Sequence, residues 1–338
     1  MNRVFSEGMM MSSTYMINQM NQGFMDTHTS QMSSVNQSNE INLDENFNQN
    51  LDNVENKNVH IPIMVQEIIT ALKVRKNGCY VDATLGGAGH TKAILEKGGM
   101  VFGIDRDLNA IESAQYLLAE YPNHLELENK SFAKIDEIWE KKISPLKIDG
   151  ILFDLGFSSN QIQDAERGFA FSLNGRLDMR FDLDGEMDAH RWINTADADE
   201  IADVFFKYGQ EKNSRKIAKS IVKHRKKQVI QTTTDLVKII EEHNQFDSKH
   251  VATRIFQAIR IHVNDEFTHI QKGLHHARKT LKRHGVLAVL TFHSLEDKIV
   301  KDFFENEVSF LLLPSANEIA KNPRARSAKL RWMIKTEA

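Results

Sequence analysis

The sequence predicts an α/β protein in which a doubly wound sheet is interrupted by an inserted helical domain. Between residues 78 and 154, short apolar runs ending in an acidic residue alternate with helical periodicity, which is the pattern of a doubly wound sheet. The alternation stops after residue 154, where loops and helical patterns follow, and resumes before an apolar run at 285–292. A helical unit inserted into a nucleotide-binding fold is the simplest explanation of both observations.

Hydrophobic periodicity defines the predicted elements and the domain organisation. The predicted strands are 80–83, 101–105, 125–128, 150–154, 285–292 and 327–334. The predicted helices are 62–72, a helix beginning near 91, 108–120, 198–208, 214–227, 234–243, 250–282 and 295–304. The chain thus divides into a first segment (1–58), a sheet domain (59–159 and 249–338) and an inserted helical domain (160–248).

Composition separates the first 58 residues from the rest of the chain. They contain 17 Asn or Gln and eight Met, with two basic and seven acidic side chains. Because such a segment cannot bury enough apolar surface to offset the entropy lost on ordering, we expect it to be disordered. The other residues carry 41 basic and 39 acidic side chains, a balance that is compatible with nucleic-acid binding without requiring it.

Two further properties limit the class of protein. No apolar run approaches the length of a membrane span, so we expect no transmembrane helix and no membrane partner. Cys79 is the only cysteine, which excludes an internal disulfide and a multi-cysteine zinc site and suits a reducing compartment. A reducing compartment points to the cytoplasm. Because the histidines are dispersed as well, we expect no bound metal.

A glycine-dense turn follows the first predicted strand. The sequence from residue 80 to residue 90 is YVDATLGGAGH, and Asp105 ends the second strand 19 residues after Gly86. Glycines let the backbone approach a bound nucleoside, and an acid at the end of the second strand accepts hydrogen bonds from ribose hydroxyls. The third glycine of the dinucleotide pattern is missing, so a ligand without a pyrophosphate, such as S-adenosylmethionine, fits better than NAD.

Asp154 ends the fourth predicted strand, which a doubly wound sheet places beside the first strand. Its carboxylate is therefore expected at the same crevice as the glycine turn. The exocyclic amine of cytosine is a poor nucleophile, and a carboxylate that accepts its hydrogens would favour attack on a methyl group. Asp154 is the candidate catalytic residue; the alternative is that it only caps the segment that follows.

Two further features point to RNA, each with a structural alternative. Phe169 and Phe171 lie beside arginines in a glycine-containing loop, which suits either stacking on a base or anchoring the loop in a core. A charged helix face is usually only solvated, but two basic segments beside a nucleoside site favour RNA binding. The basic residues are Lys212, Arg215, Lys216, Lys219, Lys223, Arg225, Lys226 and Lys227, then Lys321, Arg324, Arg326, Lys329 and Arg331.

Taken together, the motifs resemble the ribosomal RNA small subunit methyltransferase H family over residues 59–338. The resemblance lies in the glycine turn and in segments that include Asp105-Arg106-Asp107, Asp154-Leu155-Gly156-Phe157-Ser158-Ser159, Arg167-Gly168-Phe169 and Phe292-His293-Ser294-Leu295-Glu296-Asp297. It implies a class I S-adenosylmethionine-dependent methyltransferase with a helical substrate-recognition domain. The implied reaction is methylation of the N4 amine of a cytidine in 16S rRNA of the small ribosomal subunit, near the decoding centre.

The resemblance also implies individual site residues. Carried over by motif, the cofactor contacts are Ala88, Gly89, His90, Asp105, Phe132, Asp154 and Gln161. Ala88 stands where the family usually has glycine, and its methyl group is small enough for the cofactor to fit. The stretch between Phe304 and Asn322 is much shorter than in most relatives.

Two other functions stay open at this point. A DNA amino-methyltransferase usually carries two prolines and an aromatic residue after the position of Asp154, whereas this chain has Leu-Gly-Phe there. A non-catalytic RNA-binding assembly factor could keep the fold without turnover, although the strand-end acids Asp82, Asp105 and Asp154 are all present. The catalytic base, the exact nucleotide and the oligomeric state are left open by the sequence.

Overall fold

One seven-stranded sheet organises the part of the chain that a computed structural model describes, residues 62–143, 147–243 and 251–336. The strands are β1 (Cys79–Asp82), β2 (Met100–Asp105), β3 (Leu125–Asn129), β4 (Ile148–Asp154), β5 (Leu281–Thr291), β6 (Val308–Leu312) and β7 (Lys329–Ile334). Their spatial order is β3-β2-β1-β4-β5-β7-β6. Strands β1 to β5 are parallel, and β7 is antiparallel to both of its neighbours. The predicted doubly wound α/β fold is confirmed, and the predicted disordered segment 1–58 lies outside the described residues.

Helices cover both faces of the sheet and fill the long connection between β4 and β5. Before that connection they are α1 (Val65–Ala71), α2 (Gly89–Glu96), α3 (Leu108–Ala114), α4 (Tyr116–Glu120) and α5 (Ile135–Ile138). Within it they are α6 (Ser159–Gln163), α7 (Ala189–Thr195), α8 (Ala198–Gly209), α9 (Ser214–Arg225), α10 (Thr233–Glu241), α11 (Val251–Val263) and α12 (Glu266–Thr280). After β5 come α13 (Ser294–Phe303) and α14 (Ala316–Lys321).

The alternation of side chains along the strands divides the sheet's packing into two cores. Helices α1 to α4 pack on one face through residues such as Ile68 and Ile94. Helices α5, α12 and α13 pack on the other face through residues such as Ile270 and Leu274. Successive residues of β4 point to opposite faces, and Phe153 belongs to the α12 side. The side chain of Asp154 therefore points toward the α2 side.

Helices α7 to α11, which lie between β4 and β5 in the chain, form a third core. Its buried residues run from Phe169 to Ile259 and include Trp192, Phe205 and Ile221. Helix α11 contributes to this core, although the sequence-based boundary at residue 249 assigns it to the sheet domain. We therefore propose that the inserted domain extends through α11 and ends at the break before α12.

Three local features differ from the sequence-based elements. The predicted helix 250–282 is two helices, because Asp265 adopts a left-handed backbone conformation (φ 46°) between α11 and α12. The predicted helix 108–120 is divided into α3 and α4 at Gln115, which keeps a right-handed backbone conformation (φ −58°). Strand β6 and the short helices α6, α7 and α14 had no clear periodic signal and were not predicted.

Candidate functional site

The carboxyl ends of β1, β2 and β4 meet at one edge of the sheet. Strand β1 lies between β2 and β4, because the chain passes from β1 to β2 and β3 on one side and then crosses to β4 on the other. This is the switch point of a doubly wound sheet, the place where such folds bind their ligands. The glycine turn leaves β1 here, Asp105 ends β2, and Asp154 ends β4.

The glycine turn is a compact left-handed segment that contacts the end of β2. Gly86 and Ala88 both have positive φ, at 48° and 59°, and Ala88 immediately precedes α2. A left-handed alanine costs about 1–2 kcal/mol relative to glycine, so the turn accommodates Ala88 at a modest cost. The amide of Gly86 donates a 2.9 Å hydrogen bond to Oδ2 of Asp105.

Asp105 is held by two backbone amides. Its Oδ2 accepts from Gly86, and its Oδ1 accepts from the amide of Asp107 at 2.9 Å. Burial raises the pKa of Asp105 to about 6, although the two amide donors act in the opposite direction. Each carboxylate oxygen has a second lone pair, so the group can still accept hydrogen bonds from a diol.

Asp154 carries the least satisfied carboxylate of the site. Its backbone amide donates to Thr84 Oγ1 at 2.6 Å, which fixes the end of β4 against the end of β1. Its side chain is 24% exposed, and Oδ1 has no hydrogen-bond partner among the described residues. Oδ2 lies 3.4 Å from Nε2 of His90. The following helix α6 is capped by Ser158, so Asp154 is not its capping residue.

His90 and Asp82 lie beneath Asp154 in the interior. Asp82 is buried and accepts hydrogen bonds from Thr91 Oγ1 at 2.7 Å and from the amide of Thr84 at 3.3 Å. Burial raises the pKa of Asp82 despite these donors. His90, in the first turn of α2, is buried as well. The turn, Asp105, Asp154 and His90 are thus brought together as the sequence predicts.

Gly89 and Phe132 make their contacts with the protein itself. A Cβ added at Gly89 would lie 2.7 Å from Cγ of Pro62, so glycine is needed for the segment before α1 to approach α2. The ring of Phe132 packs edge-on against Phe153 with centroids 5.2 Å apart, on the α12 side of the sheet. The amide of Lys130, two residues earlier, donates to the Asp105 carbonyl at 2.9 Å, so the segment of Phe132 starts beside the site.

Gln161 belongs to a buried network centred on Asp107. Its Nε2 donates to Asp107 Oδ2 at 2.7 Å, and its Oε1 accepts from the amide of Ser158 at 2.9 Å. The guanidinium of Arg167 donates to the same Oδ2 at 2.9 Å, and both partners of this ion pair are buried. Arg167 also donates to the Phe181 carbonyl at 3.2 Å. The network therefore connects the end of β2 with the segment that follows β4.

The two phenylalanines of the glycine-containing loop have structural roles. Phe169 is buried and stacks on Phe181, with ring centroids 5.2 Å apart. Phe171 is half-buried and packs against Phe256 of α11. Of the two alternatives, anchoring in a core describes both rings, and stacking of Phe169 on a base would require it to leave that core.

The basic segments divide into exposed cations and cations with structural partners. Arg225 donates to the carbonyls of Ile193 and Ala196 at 2.6 and 2.5 Å and thereby caps the end of α7. Lys329 and Arg331 both pair with Asp297, at 2.8 and 2.6 Å. The exposed members of the first segment are Lys212, Arg215, Lys216, Lys219, Lys223, Lys226 and Lys227. They follow the solvent face of α9.

The segment His293-Ser294-Leu295-Glu296-Asp297 forms a helix cap. His293 Nδ1 accepts from the amide of Glu296, whose carboxylate in turn accepts from the backbone of Phe292 and His293. Glu296 is fully buried, and Asp297 is committed to Lys329 and Arg331. The segment contains Ser, His and Asp, the residue types of a hydrolase triad. A triad requires a nucleophile hydrogen-bonded to its base, whereas the partners of this segment give it a structural role as a helix cap.

Sequence reasoning missed the roles of Asp107, Arg167 and Thr84. The residues Asp107 and Arg167 are 60 positions apart, so no local pattern indicates that they pair. A local signal existed for Asp107 alone, because an Asp directly before a helical run is a preferred N-cap, and its side chain accepts from the amide of Asn109.

The described residues offer neither a metal site nor a membrane-spanning helix. No group of three or more His, Cys, Asp or Glu in ranges 62–143, 147–243 and 251–336 is arranged to hold a metal ion. Within the same ranges, no helix combines the length and apolar character that a membrane crossing needs.

The strand order and the switch-point residues define a class of protein. Five parallel strands in the order 3-2-1-4-5, extended by an antiparallel seventh strand, carry a glycine turn and an acidic second-strand end at the switch point. This is the class I, Rossmann-like methyltransferase fold, and its cofactor is S-adenosylmethionine.

The chain belongs to the MraW methylase family, whose model matches residues 57–336. A ribosomal RNA small subunit methyltransferase H from Magnetococcus marinus is 40% identical over 304 residues, covering 80% of this chain and 97% of the relative. Relatives of the same name from Fervidobacterium nodosum and Clostridioides difficile are 41% and 39% identical, each over 80% of this chain and 96% and 97% of their own length. The resemblance seen in the motifs is confirmed.

We expect Asp107→Ala to lower the free energy of unfolding by about 3 kcal/mol, because it leaves the Arg167 guanidinium buried without its counter-charge. Urea denaturation followed by circular dichroism measures this loss. Asp203→Ala removes an exposed carboxylate from α8 and serves as the matched control, with an expected change within about 0.5 kcal/mol. Equal losses in the two variants would contradict a structural role for the Asp107 network.

Proposed function

We propose that this chain transfers a methyl group from S-adenosylmethionine to the N4 amine of a cytidine in 16S rRNA, near the decoding centre. The observation that carries the proposal is the Asp154 carboxylate at the switch point, with one oxygen that has no partner among the described residues. The names of the relatives, which describe them as small subunit rRNA methyltransferases, support the substrate class. The small ribosomal subunit is the proposed partner, in the cytoplasm.

Asp154 is the proposed catalytic residue. The lone pair of the cytosine amine is delocalised into the ring, and a carboxylate accepting an amine hydrogen localises it on nitrogen. As the N4–carbon bond forms, nitrogen becomes positively charged, and one of its protons passes to the Asp154 carboxylate and then to water. Alignment of the amine by this hydrogen bond supplies a further part of the acceleration.

The residues present fit the cofactor. When bound, S-adenosylmethionine supplies an electrophilic methyl group, and its sulfur leaves as a neutral thioether. Asp105 is proposed to accept hydrogen bonds from the ribose hydroxyls. It would do so through the lone pairs that the hydrogen bonds from its two backbone amide donors leave open. The family resemblance implies further contacts at Ala88, Gly89, His90, Phe132, Asp154 and Gln161. For Phe132 and Gln161 the proposal requires contact through the parts of these side chains that their protein partners leave open.

The exposed face of α9 is the proposed RNA contact of the inserted domain. The proposed boundaries of this domain are residues 160 and 263. One side of α9 packs into the domain core through Ile217, Ala218 and Ile221. The opposite side carries exposed basic residues at spacings of three and four, including Lys219 and Lys223. A stripe of this kind follows a phosphate backbone without reading sequence.

The proposal is tested by methyl transfer from labelled cofactor to 30S subunits purified from a host that lacks the orthologous enzyme, with nucleosides resolved by mass spectrometry. Label in N4-methylcytidine at one site is the expected result. Asp154→Asn should slow transfer at least about 100-fold, because the amide no longer accepts the proton, while cofactor affinity changes less than about threefold.

Two outcomes would contradict the proposed reaction, and a third would contradict the proposed role of Asp154. Label in DNA instead of RNA would indicate a DNA amino-methyltransferase. Cofactor binding and 30S binding without any label would indicate a non-catalytic assembly factor. Wild-type transfer rates in Asp154→Asn would remove Asp154 from catalysis but leave the reaction standing.

Cofactor affinity should fall about tenfold between pH 7.5 and pH 5 through Asp105. The pKa of this carboxyl is raised to about 6, so it is ionised at the higher pH and mostly protonated at the lower one. The protonated acid loses acceptor capacity for the ribose hydroxyls. Calorimetric titration at several pH values measures the change, and Asp105→Asn should bind more weakly with a flatter profile. An unchanged slope in Asp105→Asn would assign the pH dependence to another group.

Reversing charge on the exposed face of α9 should weaken 30S binding at least about tenfold. In the double variant Lys219→Glu, Lys223→Glu, the slope of log affinity against log salt concentration should also fall by about two. Two phosphate contacts are lost, so binding releases fewer counterions. The control is Lys97→Glu, Lys301→Glu, which reverses two exposed charges elsewhere. Filter binding over a range of salt concentrations compares them, and equal losses would show a general charge effect only.

A further inference from the structure

His90 is a buried imidazole with unsatisfied ring nitrogens. The residue is 5% exposed, in the first turn of α2, and neither Nδ1 nor Nε2 has a hydrogen-bond partner of good geometry among the described residues. Nε2 faces Oδ2 of Asp154 at 3.4 Å, a distance slightly beyond a normal hydrogen bond. Catalytic hydrogen bonds of unliganded sites are often long in this way and shorten when substrate binds.

The carboxylates around His90 come from three elements. Burial alone would lower the pKa of His90, but Asp154 of β4, Asp82 of β1 and Glu318 of α14 together raise it above the ordinary value. Asp82 already accepts hydrogen bonds from Thr91 Oγ1 and the Thr84 amide. Glu318 Oε1 accepts from the amide of Met64 at 2.5 Å. Asp154 is therefore the carboxylate with acceptor capacity left for the ring.

The two oxygens of Asp154 face different surroundings. Oδ1 is buried and has no hydrogen-bond partner among the described residues, and Oδ2 lies 3.4 Å from Nε2 of His90. A carboxylate can rotate about its last side-chain bond, so its direction toward a substrate is fixed only if a donor holds one of its oxygens. A hydrogen bond from His90 to Oδ2 holds the group in one orientation.

We propose that His90 is a positioning residue, whose Nε2–H donates to Oδ2 of Asp154 and so fixes the direction in which the carboxylate faces the amine that receives the methyl group. This inference rests on the proposed role of Asp154 and adds to it. The family resemblance instead makes His90 a cofactor contact. The two roles differ in a measurable way, because a positioning residue governs the rate of transfer and a cofactor contact governs cofactor affinity.

The pairing itself is tested without any substrate. In protein with isotope-labelled histidine, NMR should show His90 titrating at a lower pH in Asp154→Asn than in the wild type. His124 is exposed and serves as an internal reference whose midpoint stays constant. An unchanged midpoint for His90 would overturn the proposal, whatever the protein methylates.

Single-turnover transfer at saturating cofactor tests the consequence. His90→Phe fills the space without a donor and should slow transfer about 30-fold, with cofactor affinity within about threefold of wild type. His90→Gln keeps an N–H donor and should recover most of the lost rate. In the Asp154→Asn background, His90→Phe should add less than a further factor of about three, because both act on one hydrogen bond.

Thermal unfolding of each variant confirms that it folds. Independent, multiplying effects of the two substitutions would overturn the proposal, and so would a loss of cofactor affinity that accounts for the whole effect of His90→Phe. In addition, slower transfer in His90→Phe together with a normal rate in Asp154→Asn would show that the proposed role of Asp154 is wrong.

Discussion

The buried residue Asp107 joins the two parts of the site. Its amide donates to Asp105, and its carboxylate is shared by Gln161 and Arg167. Through Arg167 it reaches the backbone at Phe181, where the inserted domain begins to pack. A shift of the inserted segment therefore changes the strand end that is proposed to hold the ribose. Because the ion pair is desolvated, it tolerates little displacement before the free energy rises steeply.

Negative charge concentrates at the switch point and selects among ligands. Asp82, Asp105 and Asp154 all lie at the carboxyl ends of neighbouring strands, and the imidazole of His90 lies near Asp82 and Asp154. Such a crevice favours a cationic sulfonium and disfavours a dianionic pyrophosphate. The sequence pointed the same way through a missing glycine, but the structure gives the electrostatic reason. The fold that binds dinucleotides elsewhere is here adapted to a cofactor of opposite charge.

The strands of the parallel sheet and the residues at their ends were predictable, because buried strands are continuous apolar runs that end at polar residues. Strand β6 was not, because its sequence VSFLL is apolar without alternating and its position at the edge of the sheet leaves these residues largely exposed. The break at Asp265 was hidden within continuous helical periodicity, and it is fixed by Asn264, whose amide bonds to the Met179 carbonyl 85 residues away. Pairings of this range, including Asp107 with Arg167, leave no local trace in a single sequence.

Neighbouring strands β4 and β5 are separated in sequence by residues 155–280, which has a consequence for how the chain folds as it is made. At synthesis rates of roughly 5–20 residues per second, β4 waits on the order of 6–25 s for its partner. During that interval the edge of β4 that later pairs with β5 offers open backbone groups, a template for wrong strand pairing. The helices of the insertion form mostly local contacts and can fold within this time. The insertion therefore affects the folding of the nascent chain, because it prolongs the time during which β4 is unpaired.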